Sequence, residues 1–335
     1  MTLADVSKGR NNNLNLIRLF AAILVVFSHS FPISYGQEYP DMASTFSNGQ
    51  TSFGNIAVCI FFFFGGFLIM GSAQRSKSAK EFFQKRVARL FPSLIIVVLV
   101  SVFVLGAVLT NAGIFSYFTD TKTYMYLFNA LLIPVHNLPG VFISNIYGQT
   151  VNGPLWTLPI EFICYVICFA MFSLHFTDEK KMKYSIVFFI PGYILLFYLV
   201  RGNAVLTTAL RPMGMFYVGM LYYVYRDTIK MNPWICLTAF MLFIASLRSN
   251  FLEYTILLTF PYILAYIGFA YKNIHLQKNK TDISYQLYLV AWPIQQIVCQ
   301  LFGGKMNSYM NFLISLPVSI FIGWVLYKCV ARIKI

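Results

Sequence analysis

The chain is written mostly in apolar runs of about 17–25 residues, the length an α-helix needs to cross a hydrocarbon layer. Ten such runs lie near 14–34, 53–71, 92–110, 154–174, 184–200, 204–225, 233–247, 251–271, 283–302 and 308–330. A shorter run at 124–134 ends in a proline and reads as re-entrant or interfacial. Composition agrees: 11% of the 335 residues are charged, against about 25% in ordinary soluble domains. So few charges cannot coat a globule of this size. The expected fold is an all-α polytopic membrane helix bundle with about ten transmembrane helices, one integral-membrane domain over residues 1–335. The longest polar stretch, roughly 111–153, reads as a long loop. No internal repeat is evident, and the first apolar run lacks the small-residue cleavage site of a removable leader.

The charges are lopsided, 25 Lys and Arg against 11 Asp and Glu, net +14. A basic excess can signal nucleic acid, so placement decides. With the N-terminus in the cytoplasm, nineteen basic residues fall in inward connections, among them Lys8, Arg10, Arg75, Lys85, Arg226, Lys272, Lys278, Lys280 and Lys334. Only Lys122, Arg201, Arg248 and Lys305 fall outward. That asymmetry is the positive-inside pattern. It predicts both termini in the cytoplasm and leaves no case for nucleic acid. The six cysteines, Cys59, Cys164, Cys168, Cys236, Cys299 and Cys329, sit in apolar runs without metal-ligand spacing. They read as buried hydrophobes, with no disulfide framework and no metal site.

Ionisable groups inside spans are costly and mark function by default. Four stand out: Arg18, His29, Glu161 and Arg211. Arg18 and His29 are eleven residues apart, about 20° beyond three full turns, so both face one side of a helix about 16 Å apart along its axis. The structural readings are a snorkelling anchor for Arg18 and a carbonyl-satisfied histidine for His29. Together on one stripe they point to a polar cavity through the bilayer. Glu161 is expected at the depth of His29, paired with His29 or Arg211; for Arg211 a purely structural ion pair is the alternative. The densest basic stretch, RSKSAKEFFQKRVARLFPS, carries Arg86 and Arg89 at i, i+3 on one helical face. It is either an anionic-lipid anchor or a clamp for a phosphorylated cytosolic ligand.

Five segments in order carry a resemblance. NLIRLFAAILVVFSHS, FFFFGGFLI, KRVARLFP, LPGVF followed by NGPLWTLPIE, and DISYQLYLVAWPIQQ together resemble the acyltransferase-3 family of integral-membrane O-acyltransferases over nearly the whole chain. Arg18 and His29 match the family's first-helix pair, Arg86 and Arg89 its Arg-x-x-Arg motif. Trp156 and Glu161 stand in the matching loop and helix, and Ser284, Tyr285 and Tyr288 in the Ser-Tyr-x-x-Tyr-Leu motif. Two departures are visible: Gly65 stands where a serine is common, and Ala291 where many members carry a second histidine. The loop and WPIQQ variants look most like members that modify bacterial surface polysaccharides.

The resemblance implies transfer of an acyl group, usually acetyl, from cytosolic acetyl-CoA to a hydroxyl of a surface or lipid-linked carbohydrate, in a bacterial cytoplasmic membrane. Arg18, Arg86 and Arg89 are then expected to hold the acyl-CoA. His29 is expected to act as general base or acyl carrier, with Glu161 orienting it. Trp156, Arg211, Tyr285 and Tyr288 are expected to meet the acceptor. No metal is expected, and no GxSxG nucleophile motif is present. The separation of Arg18 from His29 suggests a donor entering from the cytoplasm whose acyl group is delivered across the bilayer. The competing reading is a proton-coupled transporter or flippase for a lipid-linked glycan, which should show repeats between its halves.

Overall fold

A computed structural model describes residues 1–9, 12–176, 178–200, 203–271 and 281–332. Arg10, Arg201, Lys272, Lys278, Lys280 and Lys334 of the charge pattern lie outside the described residues. Among the described residues there is no strand, only isolated bridges such as Thr2 with Lys230. Each of the ten apolar runs falls on a helix: α1 Leu14–Tyr35, α2 Phe53–Arg75, α3 Ala79–Val100, α4 Thr157–Ser173, α5 Glu179–Val200, α6 Ala204–Val224, α7 Pro233–Ser246, α8 Leu252–Ala265, α9 Ser284–Leu301 and α10 Ser308–Arg332. A π-helical turn, Ser101–Gly106, carries α3 on to Leu109, and another, Tyr266–Ala270, extends α8.

Seven of these helices are long and apolar enough to cross a membrane. Pro233–Ser246, with 14 residues, is too short for that test. The run at 124–134 forms a short helix, Thr121–Met125, then the 3-10 helix Tyr126–Leu131. The outside of the bundle suits lipid: α5 leaves Val187, Phe188, Leu195 and Leu199 exposed and buries little beyond Met182 and Tyr193. Among the cysteines, Cys59, Cys164, Cys168 and Cys299 are buried free thiols. Cys236 is half-buried and Cys329 exposed, contrary to the sequence expectation.

Local signals set the helix ends near the site. The Ser52 hydroxyl accepts from Asn55 N at 3.0 Å to open α2, and Ser78 accepts from Glu81 N at 3.2 Å to open α3. Gly36, with φ of 111°, ends α1 and returns its N–H to Pro32 O at 2.9 Å. The long loop is packed rather than loose. Asn145 Nδ2 donates to Gln296 O at 2.9 Å, Gln296 Nε2 donates to Thr150 O at 2.9 Å, and Asn152 Nδ2 donates to Leu289 O at 2.9 Å. These bonds tie it to α9 through the buried Gln296 side chain and the Leu289 carbonyl, so that part of the loop's polar backbone is satisfied inside an apolar bundle.

Helix α1 packs against α2, α9 and α10, while α2 packs against α6 and α4. The α2–α6 crossing is set by glycine. A Cβ on Gly66 would stand 1.9 Å from Phe216 O, and one on Gly219 would stand 2.1 Å from Phe63 O. The two backbones therefore touch, as small residues allow in membrane bundles. A Cβ on the neighbouring Gly65 meets only the Phe216 ring at 3.5 Å, an ordinary contact. At the opposite end of α1 from His29, Arg18 forms an ion pair with Asp282, which stands just before α9. The pair is largely buried, with side chains 12% and 21% exposed. Burial pushes the Asp282 carboxyl up, but Arg18, with the Ser284 hydroxyl and amide, outweighs it and holds the carboxyl below its ordinary value.

Two predictions follow from these contacts. Gly66→Ala should lower the melting temperature of the detergent-solubilised protein, an overpacking cost of about 1–3 kcal/mol. Gly65→Ala should be neutral or raise stability by up to about 1 kcal/mol; a size-exclusion thermal melt separates them. Asp282→Asn strands Arg18 and should cost about 3 kcal/mol. Because the folded carboxyl titrates below its ordinary value of 3.8, its contribution is complete above that pH and fades as pH falls through the folded value. The gap in melting temperature between wild type and Asp282→Asn should therefore shrink on acidification below about pH 4.

Candidate active site

The helices leave two adjoining chambers along α1. The inner one, about 60 Å³ and with room for a few waters, is lined by Arg18 from α1, Arg89 from α3, Glu161 and Tyr165 from α4, and Tyr285 and Tyr288 from α9. The outer one, about 320 Å³, is lined by His29 from α1, Asp41, Trp156, Thr157 and Tyr288. Val58, Thr157 and Tyr288 line both. At that junction the Thr157 and Tyr288 hydroxyls are 2.7 Å apart, and Tyr288 O–H also donates to Pro154 O at 2.8 Å. Arg18 and His29 thus point from one face of α1 into successive chambers, as their spacing predicts.

The His29 ring meets Trp292 edge-on, with centroids 4.8 Å apart. Trp292 is fixed by donating from Nε1 to Thr150 O at 3.1 Å and by Tyr147, 4.8 Å away on an edge. His29 Nδ1 is buried without a hydrogen-bond partner among the described residues. Beside it the Ser28 hydroxyl donates to Asp41 at 2.6 Å, and Asp41 also accepts from Ser44 N and Phe53 N at 2.8 Å. Asp41 is therefore spent on holding the loop between α1 and α2. Trp156 is half-buried at the start of α4, held in the 3-10 turn Gly153–Trp156 that Pro154 opens.

Several expectations need correction. Glu161 pairs with neither His29 nor Arg211: it accepts from the Tyr165 hydroxyl one helical turn along α4 and lines the inner chamber. It does not orient His29. Arg211 forms an ion pair with Glu253 on α8, donating Nε at 2.8 Å, and donates to Gln50 O at 3.0 Å. Glu253 in turn accepts from Tyr193 at 2.6 Å. Arg211 lines neither chamber, so its place is the structural pair joining α6 to α8.

Arg86 and Arg89 do not act as one clamp. Arg86 is buried, donates to Ser72 Oγ at 3.1 Å and lies over the Phe82 and Tyr165 rings at 5.3 and 6.0 Å. Arg89, one turn on, is exposed to the inner chamber and makes no hydrogen bond or ion pair among the described residues. Tyr285 lines the inner chamber with its hydroxyl donated to Leu90 O at 2.9 Å.

Asp282, Tyr165, Thr157 and Trp292 were not anticipated. Tyr165 was legible, since i+4 is the spacing at which a hydroxyl reaches Glu161 on a helix. Asp282 carried a signal too: a carboxylate two residues before a serine at a helix start binds that serine, here at 2.6 Å to its hydroxyl. Nothing in the one-dimensional pattern placed Trp292 against His29.

A family model described as an acyltransferase domain matches residues 11–328. The chain is 28% identical to an O-acetyl transferase of Shigella phage Sf6, over 96% of each chain. It is 32% identical to Nodulation protein 10 of Rhizobium leguminosarum bv. viciae, over 48% of this chain and 44% of that one. No solved structure matches it significantly. With the family model spanning nearly all of the described bundle and both chambers inside the matched region, the chain belongs to the acyltransferase-3 family.

Proposed function

We propose that this protein moves an acetyl or other short acyl group from cytosolic acyl-CoA to a hydroxyl of a surface or lipid-linked carbohydrate, within a bacterial cytoplasmic membrane. The single observation that carries the reading is the pair of chambers: cationic Arg18 and Arg89 line one, His29 lines the other, and they meet at Thr157 and Tyr288. In this reading all ten helices lie in the bilayer with both termini cytoplasmic, so the Arg18 end faces the cytoplasm. The basic residues around that end support the orientation.

The donor thioester enters the inner chamber, where Arg89, without a hydrogen bond or ion pair among the described residues, meets its polar arm and Arg18 is held in place by Asp282. Glu161 sits beside both cations and keeps the chamber from being uniformly positive. The acceptor occupies the outer chamber, where Trp156 offers an aromatic face of the kind sugars stack on. The His29 imidazole takes the hydroxyl proton as the acceptor oxygen attacks the thioester carbonyl; the carbon–sulfur bond breaks and the departing thiolate recovers that proton. Tyr288 and Thr157, at the junction, are the hydroxyl donors nearest to both chambers and suit a developing oxyanion.

The test is reconstitution of purified protein in liposomes with labelled acetyl-CoA and polysaccharide. His29→Ala should lower the transfer rate at least about a hundredfold while leaving the thermal melt in place; equal rates in both would refute the assignment. The two arginines of the Arg-x-x-Arg motif should part company. Arg89→Ala should raise KM for acetyl-CoA, whereas Arg86→Ala, which loses a buried bond to Ser72 and its packing on Tyr165, should lower the melting temperature. Loss of both properties in both variants would restore the single-clamp reading.

A further inference from the structure

The inner chamber is small, and of the two arginines that line it among the described residues Arg18 is already paired with Asp282. Coenzyme A carries most of its negative charge on the nucleotide, at the far end of the pantetheine arm. If Arg86 is committed inside the protein, the phosphates need cations elsewhere.

A third cavity, about 420 Å³, opens at the same end of the bundle as Arg18. It is lined by Lys8, Arg75 at the end of α2, Arg226 just past α6, Asp227 and Tyr223. Three cations against one carboxylate leave it electropositive. Arg75 is exposed and makes no hydrogen bond or ion pair among the described residues. Among the described residues Lys8 reaches only Asp5, at 3.9 Å, and its side chain is 78% exposed. Arg226 is fixed rather than free: its guanidinium lies 4.2 Å from the Tyr223 ring centre and donates to Tyr223 O at 2.6 Å, with Asp227 3.9 Å away. Tyr223 itself is pressed onto Gly71, where a Cβ would stand 2.5 Å from the ring.

The cluster is built rather than accidental. The N-terminal helix Leu3–Ser7 is strapped to the end of α6, with Leu3 N donating to Ile229 O and Ala4 N to Arg226 O, both at 2.8 Å. That strap brings Lys8 to the rim beside Arg226. The cavity also adjoins the inner chamber. Leu68 lines both, and on α1 Leu14 lines the third cavity while Arg18, one turn later, lines the inner chamber. Along the helix that step is about 6 Å, and Leu14 to His29 is about 22 Å, a distance for an extended arm rather than a compact ligand.

We propose that this cavity is the phosphate subsite of the acyl donor, in which Lys8, Arg75 and Arg226 hold the nucleotide phosphates while the thioester arm runs past Leu68 to Arg18. The inference rests on the acyl-CoA reading above. It assigns the ligand's charged end to a basic pocket outside the Arg-x-x-Arg motif. Arg226, clamped on Tyr223, supplies a fixed charge; Arg75 and Lys8 close on the phosphates from the rim.

Two measurements test it. Adenosine 3′,5′-bisphosphate, the nucleotide end alone, should bind the detergent-purified wild type in calorimetry, and the Lys8→Gln/Arg75→Gln variant should bind it about tenfold more weakly. Lys122→Gln, the same charge change at the other end of the bundle, should not alter binding. In transfer assays the double variant should raise KM for acetyl-CoA about tenfold more than for S-acetylpantetheine, which lacks the nucleotide. An equal effect on both donors, or no binding of the bisphosphate by wild type, would overturn the proposal. So would an effect that tracks only the anionic lipid content of the liposomes, since the pocket would then hold a headgroup. Binding of the bisphosphate without any acyl transfer would instead refute the enzymatic reading and leave the phosphate site standing.

Discussion

A charge buried among apolar helices is costly unless compensated, and in this bundle the pairing of Arg18 with Asp282 is the contact on which the site's geometry depends. The pair ties the inner end of α1 to the start of α9. Once that end is fixed, the eleven residues from Arg18 to His29 carry the imidazole into the outer chamber on the same helical face. The second buried pair, Arg211 with Glu253, does the same for α6 and α8. Each ion pair is a joint between helices far apart in sequence, and the chambers are the space these joints leave.

The junction between the chambers is polar where its surroundings are apolar. Thr157 and Tyr288 satisfy one another and Pro154 O, so neither hydroxyl is stranded. A bonded pair can nevertheless exchange its partners for a ligand's oxygen at little cost, because one hydrogen bond replaces another. That distinguishes the junction from a wall of leucines, which would block a thioester without offering it anything. In the outer chamber the contrast runs the other way: Asp41 is saturated by Ser28 and two backbone amides, while His29 Nδ1 has no hydrogen-bond partner among the described residues.

The helices were legible because a span needs a certain length and composition; the ten apolar runs fall on ten helices among the described residues, seven of them long and apolar enough to cross a membrane. Register along α1 was legible as well, since the spacing of Arg18 and His29 follows from residue count alone. The depth expected for Glu161 was not, because it lines the inner chamber with Arg18 rather than the outer one with His29. Adjacency was not. Glu161, Arg211 and His29 share a depth by sequence, and nothing in one dimension says that Glu253 takes the arginine and Tyr165 the carboxylate. The Arg-x-x-Arg spacing puts two guanidinium groups on one face. Yet one turn of helix was enough to bury Arg86 under Tyr165 and leave Arg89 in the open chamber. Motif spacing reports which residues can act together; only the neighbouring helix decides whether they do.

The position of Ala291 bears on the chemistry. It is buried with Ala22 and Val26 where α9 crosses α1, and its small side chain lets the two helices approach closely. A histidine there would have to push that crossing apart or displace Val26. One residue on, Trp292 turns its ring to His29 and anchors itself to the loop at Thr150. The α1–α9 contact therefore supplies one imidazole braced by an indole, rather than two imidazoles. In the proposed reaction both proton transfers, from acceptor hydroxyl and to departing thiolate, pass through His29. The sulfur must then end within reach of the same ring that received the proton, so the thioester has to cross the Thr157–Tyr288 junction before the acyl group moves.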